Sequence, residues 1–156
     1  MENYFMKLAY EEAKKAFEIG EVPVGAVIVK GNKVVGRGYN VKESSKDPTA
    51  HAEMMAIRQA SRTLGGWRLI GCTMYVTLEP CPMCAGAIVN SRIDRIVIGT
   101  RDSRMGACGS NLNLLQNSFS NHRVEIKWDI MKTECSGILS EFFKILRETK
   151  NMRNYF

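Results

Sequence analysis

Four side chains in this sequence have the types and spacing to hold a metal and move a proton: His51 and Glu53 in TAHAE, and Cys81 and Cys84 in PCPMC. A Cys-x-x-Cys pair has three uses: half of a closed structural zinc site, a redox dithiol, or two of the three ligands of an open catalytic zinc. The closed site needs four good ligands, and the remaining cysteines, Cys72, Cys108 and Cys135, stand singly. The redox dithiol belongs after a strand in a thioredoxin-like unit, and it requires neither the prolines before and between these cysteines nor an imidazole nearby. His51 and the cysteine pair both fall where a predicted helix starts, so two helix N-termini can converge, and their exposed N–H groups lower thiol pKa values. One imidazole and two thiolates select zinc and leave a fourth position for water. Zinc lowers the pKa of such a water to about 7. Attack on an amidine-like carbon also needs a proton on the ring nitrogen and another on the departing amine, and Glu53 is placed to carry both. A histidine on an apolar helix is more often a satisfied core residue, and a glutamate in a first turn more often only favours the helix dipole. Here the cysteine pair outweighs both ordinary explanations. His122 reads as structural.

The elements that must position these residues follow from periodicity. Apolar residues at Phe5, Leu8, Ala9, Ala13, Ala16 and Phe17 predict an amphipathic helix over 3–19, stopped by Gly20. Val24–Val29 and Lys33–Tyr39 are β-rich runs around Gly31-Asn32, which predicts an antiparallel hairpin. The polar segment Lys42–Thr49 reads as a loop. A helix then runs from Ala50 to a stop at Gly65-Gly66, with Met54, Ile57, Ala60 and Leu64 on its apolar side. A strand at Thr73–Glu79, a short buried helix over Cys84–Ser91, strands at Arg95–Thr100 and Val124–Trp128, and a helix over Thr133–Lys150 complete the chain. A hairpin followed by strand-helix-strand units predicts an α/β fold, a three-layer α/β/α sandwich with a mixed sheet of about five strands.

Bulk properties are consistent with this. The 156 residues fit one domain, with 45% hydrophobic and 24% charged residues as in ordinary globular chains. The N-terminus lacks the apolar core of a secretory signal, and five cysteines without an export signal predict reduced thiols in a cytoplasmic protein. A net charge of +6 favours a polyanionic partner without requiring one.

His51-Ala52-Glu53 followed by Pro80-Cys81-Pro82-Met83-Cys84 resembles the signature of the zinc-dependent cytidine/deoxycytidylate deaminase superfamily. Four stretches narrow the resemblance to the bacterial tRNA-specific adenosine deaminases: GEVPVGAVIV, the block from TAHAEMMAI through TMYVTLEPCPMCAGAIV, the loop RDSRMGACGS leading to NLLQ and NHRVEI, and the closing SEFFKILR. The resemblance runs nearly end to end. It implies a cytidine deaminase-like fold over residues 1–156 and hydrolysis of the wobble adenosine to inosine in a tRNA anticodon loop. It also implies one zinc per subunit on His51, Cys81 and Cys84, with Glu53 as proton shuttle. Asn40 would bond the flipped base, the Ala52 N–H and Val24 would line the pocket, Asp102 would meet the ribose, and Phe142 and Phe143 would shape the pocket and support loop bases. Lys144, Arg147, Lys150 and Arg153 are candidates for RNA phosphates. A homodimer is expected, with the tRNA anticodon stem-loop as partner and no membrane. A deaminase of free guanine, cytosine or their nucleosides would share every catalytic residue and is the alternative.

Overall fold

A computed structural model describes residues 1–153, with side-chain surroundings through Lys150. Ten elements follow in order: α1 (Glu2–Glu18), β1 (Gly25–Lys30), β2 (Lys33–Tyr39), α2 (Lys42–Ser45), α3 (Ala52–Leu64), β3 (Cys72–Leu78), α4 (Pro82–Asn90), β4 (Arg95–Thr100), β5 (Glu125–Lys127) and α5 (Lys132–Arg153). The hairpin forms as predicted, with Gly31 and Asn32 both at positive φ (54° and 61°), as a two-residue type I′ connection requires. One five-stranded sheet results, in the order β2-β1-β3-β4-β5. β1 pairs antiparallel with β2 and β3, while β4 runs parallel to β3 and to β5. The sheet is mixed because tight turns can join only antiparallel neighbours, and α4 supplies the crossover that a parallel pair needs.

Alternation along the strands builds a core on each face. Ala26, Ile28, Met74, Val76, Ile96 and Ile98 point to the α3 and α4 side, where Ala56, Ala60, Ala85 and Ile88 meet them. Val27, Val29, Tyr75 and Val97 point the other way, onto Phe5, Met6 and Ala9 of α1 and Cys135 of α5. The three-layer sandwich expected from the sequence is therefore the architecture found.

Two local expectations are corrected. The α3 face expected to be buried was Met54, Ile57, Ala60 and Leu64, yet the fully buried residues are Ala52, Glu53, Ala56 and Ala60. Gly36 and Gly38 explain this: a Cβ on Gly36 would strike the Ala56 carbonyl oxygen, and one on Gly38 the Ala52 carbonyl oxygen. The bare strand lets the helix backbone settle onto β2, so small residues face it and larger ones turn aside. The segment Lys42–Thr49, expected as a loop, opens with the helical turn α2. The buried Glu21 carboxylate accepts the N–H groups of Glu43 (3.0 Å) and Ser44 (2.6 Å), satisfying first-turn donors from more than twenty residues away in sequence.

Candidate active site

The ends of α3 and α4 assemble the four chemical side chains. His51 is the N-cap of α3 and Cys81 the N-cap of α4, both with extended backbone (ψ 156° and 173°). Pro82 follows at the first helical position, where its missing N–H costs nothing, and the helix turns Cys84 back toward Cys81. His51 Nδ1 lies 3.7 Å from Cys81 Sγ and 3.5 Å from Cys84 Sγ. All three ligand atoms fall within 4.8 Å of one another.

The donor set fits zinc. Bonds of about 2.3 Å to sulfur and 2.0–2.1 Å to nitrogen at tetrahedral angles place sulfur and nitrogen about 3.6 Å apart, which matches the two separations found. Electrostatics agree. The Cys84 thiol donates to Cys81 and, against the cost of burial and with help from His51, holds the Cys81 thiol down at about 4. Cys84 is correspondingly pushed far up, because it keeps its proton to donate a hydrogen bond to Cys81 and because it is buried, with Glu53 nearby. His51 is raised by its hydrogen bond to Cys81, which outweighs burial. One thiolate is thus already stabilised, and the second sulfur shares its proton with it.

Glu53 is the second residue of α3, in its first turn, and is 4% exposed. Burial pushes its carboxyl up to about 7, and the negative Cys81 adds to the rise, against the backbone N–H and His51. A carboxyl in that range can both take and release a proton at neutral pH.

A cavity of about 520 Å³ opens onto His51, Glu53 and Cys81, within the size range of small-molecule sites. Val24, Asn40, Asp102 and Met105 are among the residues that line it. Asn40 is partly committed: its Nδ2 donates to the Val22 carbonyl oxygen (3.3 Å) and its Oδ1 accepts from the Lys42 N–H (3.2 Å). One N–H and one lone pair remain. Asp102 Oδ1 accepts from the N–H groups of Arg104 and Met105, leaving Oδ2. Ala52 is buried against β2 and does not line the cavity with its side chain; its N–H is one of the donors that a helix start leaves without an intrahelical partner.

Phe142 lies outside the cavity lining. It packs on Phe17 and edge-on against Phe143 (centroids 5.4 Å apart). Phe143 borders a second groove with Arg101, Arg104 and Leu139, and this groove shares Val22, Leu78, Asp102 and Met105 with the main cavity. Lys144, Arg147 and Lys150 are exposed on the same helix. Arg153 ends α5, and its side chain lies outside the described residues.

Sequence reasoning missed Glu79, Met105, Val22, Leu78 and Lys42 of the cavity wall. Glu79 had a legible signal, an acid wedged between an apolar strand and Pro80. The others carry no chemistry that spacing could reveal.

The sequence profile of the MafB19-like deaminases matches residues 1–147. A tRNA-specific adenosine deaminase of Bacillus subtilis is 49% identical over 94% of this chain and 91% of its own length. One from Aquifex aeolicus is 51% identical over 92% and 95%. A solved structure from work on A-to-I editing by tRNA:A34 deaminases superimposes with a TM-score of 0.84 at 41% identity, covering 87% of this chain and 99% of that one. A guanine deaminase from Bacillus subtilis, also 41% identical, matches 63% of each chain with a TM-score of 0.60. The chain belongs to the MafB19-like deaminase family and, within it, to the tRNA-specific adenosine deaminases.

Proposed function

We propose that the chain hydrolyses the wobble adenosine of a tRNA anticodon loop to inosine, acting as one deaminase unit over residues 1–156. The observation that carries the reading is the convergence of His51, Cys81 and Cys84 on one point beside the buried Glu53 at the floor of an open cavity. The near full-length likeness to tRNA-specific adenosine deaminases, against a 63% match to the guanine deaminase, favours RNA over a free base.

His51, Cys81 and Cys84 would hold one zinc. When bound, the ion supplies the Lewis acidity that makes water a nucleophile at neutral pH. Glu53 takes one proton of the attacking water and delivers it to N1 of the ring, then takes the second from the hydroxyl now on C6 and passes it to the departing amine. The bond from C6 to the exocyclic nitrogen breaks, one water is consumed, and ammonia leaves. Asn40 offers its remaining N–H and lone pair to the purine edge, while the Val24 side chain and the Ala52 N–H line the pocket around the base. Asp102 Oδ2 accepts from the ribose hydroxyl. Phe143, backed by Phe142, flanks the groove through which neighbouring loop bases pass, and Lys144, Arg147, Lys150 and Arg153 face phosphates. A homodimer completes the RNA surface, and the enzyme works in the cytoplasm, where its substrate and reduced thiols are found. No described helix is long and apolar enough to cross a membrane.

Glu53→Gln tests the assignment. Inosine formation in an anticodon stem-loop should fall by at least about a hundredfold, with zinc content unchanged. Retained turnover would remove Glu53 from the mechanism.

A further inference from the structure

The wall of the cavity that carries Asp102 and Met105 belongs to the segment between β4 and β5, which has little regular structure of its own. One buried carboxylate organises it. Glu79 is 2% exposed and stands two residues before Cys81. Its Oε1 accepts the N–H of Asp102 (3.0 Å) and the hydroxyl of Ser110; its Oε2 accepts the N–H groups of Cys108 and Ser110 (3.1 Å each). Four donors from one loop thus end on a single carboxylate.

The loop is shaped around that group. A Cβ on Gly106 would collide with the Glu79 carboxyl and with the Asp102 carbonyl oxygen, so only glycine allows the chain to close this tightly. The Ala107 N–H also donates to the Pro80 carbonyl oxygen (2.9 Å), tying the loop to the turn that presents Cys81.

We propose that Glu79 is a positioning residue for substrate: it fixes the Asp102–Met105 wall at the distance from the ligand turn that the target nucleotide requires. The proposal deepens the RNA-editing reading above and rests on it. Four acceptor positions match four donors, a set that no neutral side chain of the same size supplies. Glutamine at this place would turn one oxygen into an NH2 group facing N–H groups, and the loop would detach from that end.

Three measurements on the zinc-loaded protein test the proposal together: amide hydrogen exchange, zinc content, and steady-state kinetics on an anticodon stem-loop with a wobble adenosine. In Glu79→Gln, the amides of Asp102, Cys108 and Ser110 should lose protection while those of α4 keep it. KM should rise about tenfold with kcat within about threefold, and zinc should stay at one per chain. Ser110→Ala, which removes one donor and leaves the carboxylate, should move KM the same way by about two- to threefold. Unchanged KM despite exposed loop amides would overturn the proposal. So would a loss confined to kcat and accompanied by loss of zinc, since Glu79 would then serve only the ligand turn. If the wild type turned over a free base and not the stem-loop, the RNA reading would fail by itself, and the KM ratio measured on that base would decide the role of Glu79.

Discussion

At the scale of single residues, the site concentrates opposing protonation demands in a small volume. Cys81 is held as a thiolate while Glu53, two residues past His51 in a buried position, is pushed toward its neutral form. Each ligand should be individually required: Cys84→Ser should drop zinc content well below one per chain and inosine formation with it, as measured by metal analysis of the purified protein. Glu53 leaves a separate trace in stability. Its folded pKa of about 7 lies above the ordinary carboxyl value near 4.5, so the stability linked to its protonated form is complete below about pH 4.5 and is lost as pH rises through about 7. Cys81 works with the opposite sign, its contribution being present above the ordinary thiol value of 9.0 and lost as pH falls through about 4. Comparison with Glu53→Gln isolates the carboxyl. In urea titrations of metal-free protein, Glu53→Gln should gain stability relative to wild type between pH 5 and pH 8, by up to roughly 3 kcal/mol. A difference that does not change with pH would contradict the burial argument.

At the scale of elements, helix starts and bare glycines do the positioning. His51 and Cys81 occupy N-caps, and the height of α3 above the sheet is set by Gly36 and Gly38. Gly38→Ala forces a methyl group into the Ala52 carbonyl at the base of the site. It should cost about 1–3 kcal/mol in denaturant unfolding and should also weaken zinc retention against a chelator, because the start of α3 must lift. A stability loss with unchanged zinc retention would mean that the strain is absorbed elsewhere. The same elements show what a reader of sequence can and cannot see. The hairpin, the strand alternation and the H-x-E and P-C-x-x-C placement were legible because they are short-range patterns. The face buried by α3 was not, because it depends on glycines of a neighbouring strand. The turn α2 was hidden for the same reason, its cap Glu21 lying in a different part of the chain. Glu79 is the functional counterpart: an acid visible beside the metal motif, whose four partners lie 23 to 31 residues downstream. Phe142, expected at the pocket from resemblance, sits behind Phe143 because a helix can present only one of two adjacent aromatics to the groove.

At the scale of the whole molecule, the cavity adjoins the groove bordered by Phe143, and the helix that carries Phe143 also carries the exposed cations Lys144, Arg147 and Lys150. A net charge of +6 is modest, so phosphate contacts must be local to matter. If Lys144, Arg147 and Lys150 each meet one phosphate of a single-stranded loop, KM should rise by about twentyfold between 50 and 200 mM salt, from a slope near −0.7 per contact. Replacing all three with Gln should flatten that slope and leave turnover at saturating substrate nearly unchanged. The measurement that bears most directly on the central claim is incubation of the zinc-loaded protein with an anticodon stem-loop carrying a wobble adenosine, beside free adenine, adenosine, guanine and cytosine, with inosine and each deaminated base quantified. Inosine at the wobble position, with the free compounds untouched, is the predicted result; deamination of a free base with an unchanged stem-loop would contradict it.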